Sequence, residues 1–489
     1  MIEDIINIHD KYQFEIKWSY RLQRQRRFST YRIETYFFIP QSLGLNRNTY
    51  AKQDFYNDIQ SYIRFKTPTV LLKNIAEGPE RPLAKLKAVF QRVADQPDPE
   101  NLREYEQSIK LFGCIFRSSL RDHVTFIHKK RRVAEIQDLT EQFIQYATAA
   151  VRSYRELGSL LNVPTIREKD FAKYRFGDEY LSLMVEQYSF SLLNRLREKL
   201  GLQGQPYTQR LLGIIRDELE YRRLQGYPSI PEEEGENEGL VFRKSILKKY
   251  MGSILFLKIR TESEGKIVEQ IVLGIAAGVA MIFATAIAFF SQQQYGNLSL
   301  PLFVALVIGY IFKDRLKELL RSYFHEQLHS FLYDHKIVLH TGDQLPLGWC
   351  KESVDYVSEA GVPGGIRRRR NRDHLTEIEN DWLGESIIVY KKYIRLRAVK
   401  LENFHEPEPV ESINDIMRFN IQKFLAKMDN PEKNIYVIAG DGYKKVAAQR
   451  VYHLNLVIRY SFDGQNSYKR FRIILNRRGI KSIEVLNVE

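Results

Sequence analysis

His325, Glu326 and His329 follow one another as His-Glu-x-x-His within the stretch FHEQLHSFLYDH, residues 324–335. On a helix this spacing sets two imidazoles one turn apart on a single face, with a glutamate beside the first. That arrangement holds a zinc ion and activates a bound water. In such chemistry His325 and His329 are metal ligands and Glu326 is the general base. A third ligand must come from elsewhere, and His335 or a downstream carboxylate such as Glu352 is available.

The same residues support a second reading. Leu316, Leu319, Leu320, Tyr323, Phe324, Leu328 and Phe331 make one apolar stripe. At about 100° per residue, His325 and His329 fall opposite that stripe, beside Glu318 and Ser322. Residues 313–335 then form an amphipathic stalk helix whose histidines face water, and this is the reading preferred here. The spacing of His325, His329 and His335 resembles the metzincin family over eleven residues, with Leu332 where that pattern carries glycine. The resemblance implies zinc and peptide hydrolysis at Glu326.

Whatever the histidines do, the segment before them decides where they do it. Ile271 to Phe290 reads IVLGIAAGVAMIFATAIAFF, twenty residues without a charge, which matches a hydrocarbon core of about 30 Å. A shorter uncharged run, Leu298 to Phe312, follows after SQQQYGNLSLP. The two predict a transmembrane hairpin over 267–312. Arg243, Lys244, Lys248, Lys249, Lys258, Arg260 and Lys266 precede it; Lys313, Arg315, Lys317 and Arg321 follow it. Cations on both outer flanks and none in the connecting loop place both termini in the cytosol. The expectation is therefore a multi-pass protein of the cell membrane, with Lys248, Lys249, Lys313 and Arg315 on anionic head groups. Gly274 and Gly278 form a GxxxG, and Ala280 and Ala284 continue a ladder of small residues. Such stripes serve close packing within the hairpin and homo-oligomerisation equally well.

Composition agrees with this placement. A chain of 489 residues predicts two to four folded units. With 44% apolar and 27% charged residues it is not a disordered polypeptide. Two cysteines, Cys114 and Cys350, carry no disulfide framework, and the amino terminus lacks the apolar run of a secretory signal. The net charge of +14 favours anionic partners.

The pattern along the chain predicts an α+β multidomain membrane protein. Residues 1–78 read as a β-rich domain with a hairpin of 12–22 and 30–39. Residues 79–227 read as a helical bundle, and 228–266 as an acidic linker and basic juxtamembrane segment. In the latter, Ile254 to Ile259 fits a buried strand or a lipid-facing stretch equally. Residues 336–489 read as a carboxy-terminal α+β domain, with one helix over 411–428 and a meander at the end. HKKRR at 128–132 reads as a solvated helix face and GVPGGIRRRRNR at 361–372 as a mobile basic loop, so nucleic acid is not an expected partner.

The expected function is non-enzymatic: an oligomeric membrane scaffold or signal-transmitting protein with an unidentified protein partner and no cofactor. The alternative is a membrane-tethered zinc metalloprotease or hydrolase using the histidine motif. No phosphate loop, nucleophile elbow or kinase motif set is present.

Overall fold

The computed structural model describes residues 2–21, 27–77, 82–200, 205–262, 265–296, 299–331, 333–341, 346–370, 384–397 and 412–486, with backbone alone at 3, 200, 265–269 and 324–331. The described residues divide into two compact units, one drawn from Met1–Ile63, Leu257–Phe404 and Ser412–Glu489, the other from Arg64–Phe256.

The first unit is built on two sheets. β1 (Ile2–Ile8), β2 (Gln13–Arg21), β9 (Ser412–Asn420) and β4 (Ile59–Phe65) lie side by side in the order β1-β2-β9-β4. The larger sheet has eight strands. It comprises β3 (Ser29–Pro40), β5 (Lys258–Glu262), β6 (His335–His340), β7 (Pro346–Val357), β8 (Glu385–Leu396), β12 (Tyr452–Phe462), β13 (Gln465–Asn476) and β14 (Gly479–Leu486), ordered β14-β13-β12-β3-β8-β7-β6-β5. β10 (Glu432–Ala439) and β11 (Gly442–Gln449) form a separate two-stranded ribbon.

The alternation of β2 buries Phe14, Ile16, Trp18 and Tyr20, as a half-buried strand requires. These residues meet the large sheet. Phe37 of β3 packs on Phe419 of β9 at 5.4 Å between ring centres, and Tyr20 of β2 on Tyr31 of β3 at 5.2 Å. The opposite face of β3 is also covered, because Tyr36 and Phe38 join Val362 and Ile366 around α11 (Gly364–Arg370). Burial on both faces explains the unbroken apolar run YFFI.

Four expectations are corrected. β2 and β3 do not form a hairpin: β2 pairs with β1 and β9, while β3 lies between β12 and β8. The strands of 1–78 and of 336–489 therefore share sheets rather than forming separate domains, since the edges that alternation leaves open are closed by distant strands. The helix expected over 411–428 is β9 followed by a short helical turn, Gln422–Leu425. Ile413, Ile416 and Met417 repeat at helical spacing because both faces of β9 are buried, which erases the alternation of an ordinary strand. The basic stretch at 361–372 begins in a turn and continues as α11; Arg370 is buried against Glu385 at 2.5 Å and Arg369 lies over the Tyr468 ring at 3.9 Å. Positions 371–372 lie outside the described residues. The terminal meander is as expected, with Asp463 and Gly464 both at positive φ in the turn joining β12 to β13.

The second unit is helical: α2 (Leu72–Glu77), α3 (Pro82–Asp95), α4 (Pro99–Lys129), α5 (Val133–Glu156), α6 (Glu168–Leu200), α7 (Gln205–Leu224) and α8 (Glu238–Gly252). α1 (Lys52–Asp58) belongs to the first unit. The break before α4 falls where proline and a capping residue predict it: Asp98 accepts a hydrogen bond from the Asn101 amide at 2.7 Å, with Pro99 opening α4. Tyr154 stacks between Phe112 and Tyr174 at 5.6 and 5.1 Å. Two readings change here. Lys130 to Arg132 connect α4 to α5 and so form no helix face. The basic segment assigned to the membrane approach is instead α8, packed on α4 through buried Leu247 and Met251, with Lys244 on Glu186 at 3.1 Å. Ile254 belongs to a short turn, and strand β5 starts at Lys258.

Candidate functional site

His325, Glu326 and His329 lie in the last turns of α10 (Leu300–Phe331), so their backbone is helical as the motif requires. Their side chains lie outside the described set. His335 is no continuation of that helix. It opens β6, opposite Glu352 in the β6–β7 register, and packs edge-on against Tyr56 at 4.5 Å. Glu352, the other third-ligand candidate, points its carboxylate at Lys392, 3.1 Å away. Among the described residues no group of three His, Cys, Asp or Glu side chains is arranged to hold a metal. We expect elemental analysis of the purified protein to find no stoichiometric zinc, in the parent or in His329→Ala. One zinc per chain that vanishes in His329→Ala is the opposing result.

The helix pair is rooted in the large sheet. β5 and β6 are adjacent antiparallel strands, with Thr261 opposite Ile337 and Glu262 opposite Lys336. Between them the chain runs out along α9 (Gly265–Tyr295) and back along α10. One helix among the described residues is long and apolar enough to cross a bilayer, Gln270–Tyr295, with a mean hydropathy of 2.5. The second expected span does not meet that measure over its described residues: the uncharged part of α10 runs from Leu300 to Phe312, before Lys313, and Leu298 lies outside the described residues.

Packing separates the small residues into two groups. Ala276 and Ala280 are buried, Ala284 is half-buried, and a Cβ added to Gly309 of α10 would stand 3.3 Å from Ile287. This is the face on which α9 and α10 meet. Gly274 and Gly278 point the other way, into open space, alongside exposed Ile271, Ile275 and Ile282. The cations assigned to head groups fall in different units: Lys248 and Lys249 on α8, Lys313 and Arg315 on α10. Lys313 lies over the Tyr310 ring at 3.9 Å.

A third feature was not anticipated. Lys392 of β8 is completely buried, its Nζ 2.6 Å from Asp415 Oδ2 on β9 and 3.1 Å from Glu352 Oε1 on β7. The Tyr20 hydroxyl on β2 donates to the same Asp415 Oδ2 at 2.9 Å. Trp18 and Tyr390 wall the amine at 5.3 and 5.8 Å from their ring centres, and buried Cys350 lies beside Glu352. Burial opposes the charge on Lys392, yet the Asp415 and Glu352 carboxylates outweigh it and hold the amine well above its ordinary pKa. Burial, reinforced by Asp415, raises the Tyr20 phenol well above its usual range, and burial does the same to the Cys350 thiol, leaving it inert. The signal in the sequence is position. Ile388, Tyr390, Lys392, Ile394 and Leu396 alternate onto the core face of β8, so Lys392 occupies a place that strand periodicity reserves for an apolar side chain.

Arg222 of the second unit provides a contrast. It is equally buried, but its guanidinium donates to Ser229 O, Ser182 Oγ and Glu186. Asp415, by comparison, keeps Oδ1 buried with no hydrogen-bond partner among the described residues. No family model, curated protein sequence or solved structure matches the chain.

Proposed function

We propose that this protein is an integral membrane protein whose α9–α10 hairpin anchors two folded units on the cytosolic side, and that it acts as a non-enzymatic oligomeric scaffold or signal-transmitting protein. The observation that carries the reading is the rooting of an exposed apolar helix pair between two hydrogen-bonded strands, β5 and β6. A displacement of the helices in the bilayer is thereby transmitted to the edge of an eight-stranded sheet, and the reverse. α10 contributes the shorter apolar segment, with Lys313, Arg315 and Lys317 at the cytosolic interface.

The outward position of Gly274 and Gly278 supports association between copies, since the intramolecular contact already uses the alanine face. A protein-binding role is supported by the β10–β11 ribbon, which exposes Tyr436, Ile438 and Tyr443. Cross-linking in membranes tests the association: a defined oligomer is expected for the parent and a several-fold weaker one for Gly278→Ile. Ala280→Ile is expected to disturb the hairpin itself. A parent that stays monomeric overturns the oligomeric reading.

A further inference from the structure

The Lys392 cluster holds a nucleophile and an electrophile in contact, away from water. We propose that Lys392 and Asp415 condense into an intramolecular isopeptide bond, with Glu352 as proton shuttle, so that β8 of the large sheet is covalently tied to β9 of the small one.

Each requirement of the reaction has a residue in the cluster. The amine and the carboxyl group lie 2.6 Å apart, N to O, and both side chains are fully buried. Enforced contact of this kind supplies a large effective concentration, and a dry site removes competing hydrolysis. Glu352 Oε1, 3.1 Å from Nζ, lies within the reach of a general base. The Tyr20 hydroxyl, 2.9 Å from Oδ2, donates where negative charge develops on the carbonyl oxygen. Asp415 Oδ1, which has no hydrogen-bond partner among the described residues, is the oxygen free to leave. With one amine and two carboxyl groups, the net-neutral form of the cluster carries one proton on the carboxyl pair, and the step starts from that form.

The step balances from that state. Glu352 carboxylate takes a proton from the Lys392 ammonium, and the freed amine attacks Cγ of the Asp415 carboxylic acid. The nitrogen loses a second proton through Glu352 to the departing hydroxyl. The C–O bond breaks, water leaves, and Glu352 ends protonated beside a neutral amide. Two charges that burial penalises, the ammonium and the Glu352 carboxylate, are replaced by none.

The experiment is mass measurement of the purified full-length chain in detergent, denatured, followed by tryptic mapping. The bond predicts a chain lighter by about 18 Da, one water, and a branched peptide in which 392–395 is joined to 401–418. Asp415→Asn is expected to form the same link with loss of ammonia, about 17 Da, which separates an isopeptide from any other dehydration. Glu352→Gln, which keeps amine and carboxyl in place, is expected to fold and to retain full mass. A parent of full mass with 393–395 and 401–418 recovered as separate linear peptides overturns the proposal, as does a lost water that maps elsewhere. A Glu352→Gln chain that still cross-links overturns the role given to Glu352.

Discussion

Lys392→Met is expected to lower the stability of the sheet unit by at least about 3–5 kcal/mol, the usual consequence of stripping the cation from buried carboxylates. Asp415 and Glu352 would then face each other across an interior walled by Trp18 and Tyr390, with the Tyr20 hydroxyl as the remaining donor to Asp415 that the structure records. For a unit of this size the change corresponds to a fall of roughly 10 °C or more in the midpoint of thermal unfolding. A companion variant discriminates between the two forms of the cluster. If ion pairing alone joins the sheets, the charge-free triple Lys392→Met, Asp415→Leu, Glu352→Leu regains most of the loss, because well-packed apolar residues commonly replace a buried ion pair at little cost. If the covalent tie is present, the triple stays well below the parent, because no side chain restores the bond. Calorimetry of the three proteins in one detergent measures both. A Lys392→Met protein as stable as the parent would mean that the cluster holds nothing together.

The second large effect concerns solubility. Joining Glu262 to His335 through a short Asn-Gly turn removes α9 and α10 while leaving the β5–β6 ladder to close on itself, since Ile259 still faces Leu339 and Arg260 still faces Val338. This variant is expected to move from the membrane fraction to the soluble one and to keep its thermal transition. Ile, Leu, Val and Phe make up ten of the twenty residues 271–290, and at roughly 0.3–0.6 kcal/mol each they favour insertion by about 3–6 kcal/mol. Their removal takes away the driving force. A parent that remains in solution without detergent, or a shortened chain that still sediments with membranes, sinks the anchor. Digestion of a labelled carboxy terminus from outside intact cells would leave the anchor standing but reverse its orientation.

The amino-acid sequence by itself determined the features that depend on neighbours in the chain. Charge-free length marked α9, Asp98 and Pro99 marked the break before α4, and Asp463-Gly464 marked the turn of the terminal meander. Each is a local preference, written in a few consecutive residues. Tertiary structure decided what depends on distant partners. Alternation showed which face of β2 is apolar but could not show that β9 would lie beside it, or that β3 would join β12 and β8. The backbone groups of a strand edge are alike along the chain and carry no address. The same reason hid the Lys392 cluster. A lysine on the core face of a strand is an anomaly in the sequence, and only the meeting of β7, β8, β9 and β2 supplies the two carboxylates and the phenol that give it a role. Conversely, the histidine motif that stood out most in the sequence is followed by a chain that turns into β6, which sets His335 against Tyr56 and Glu352 beside Lys392, while the side chains of His325 and His329 lie outside the described residues.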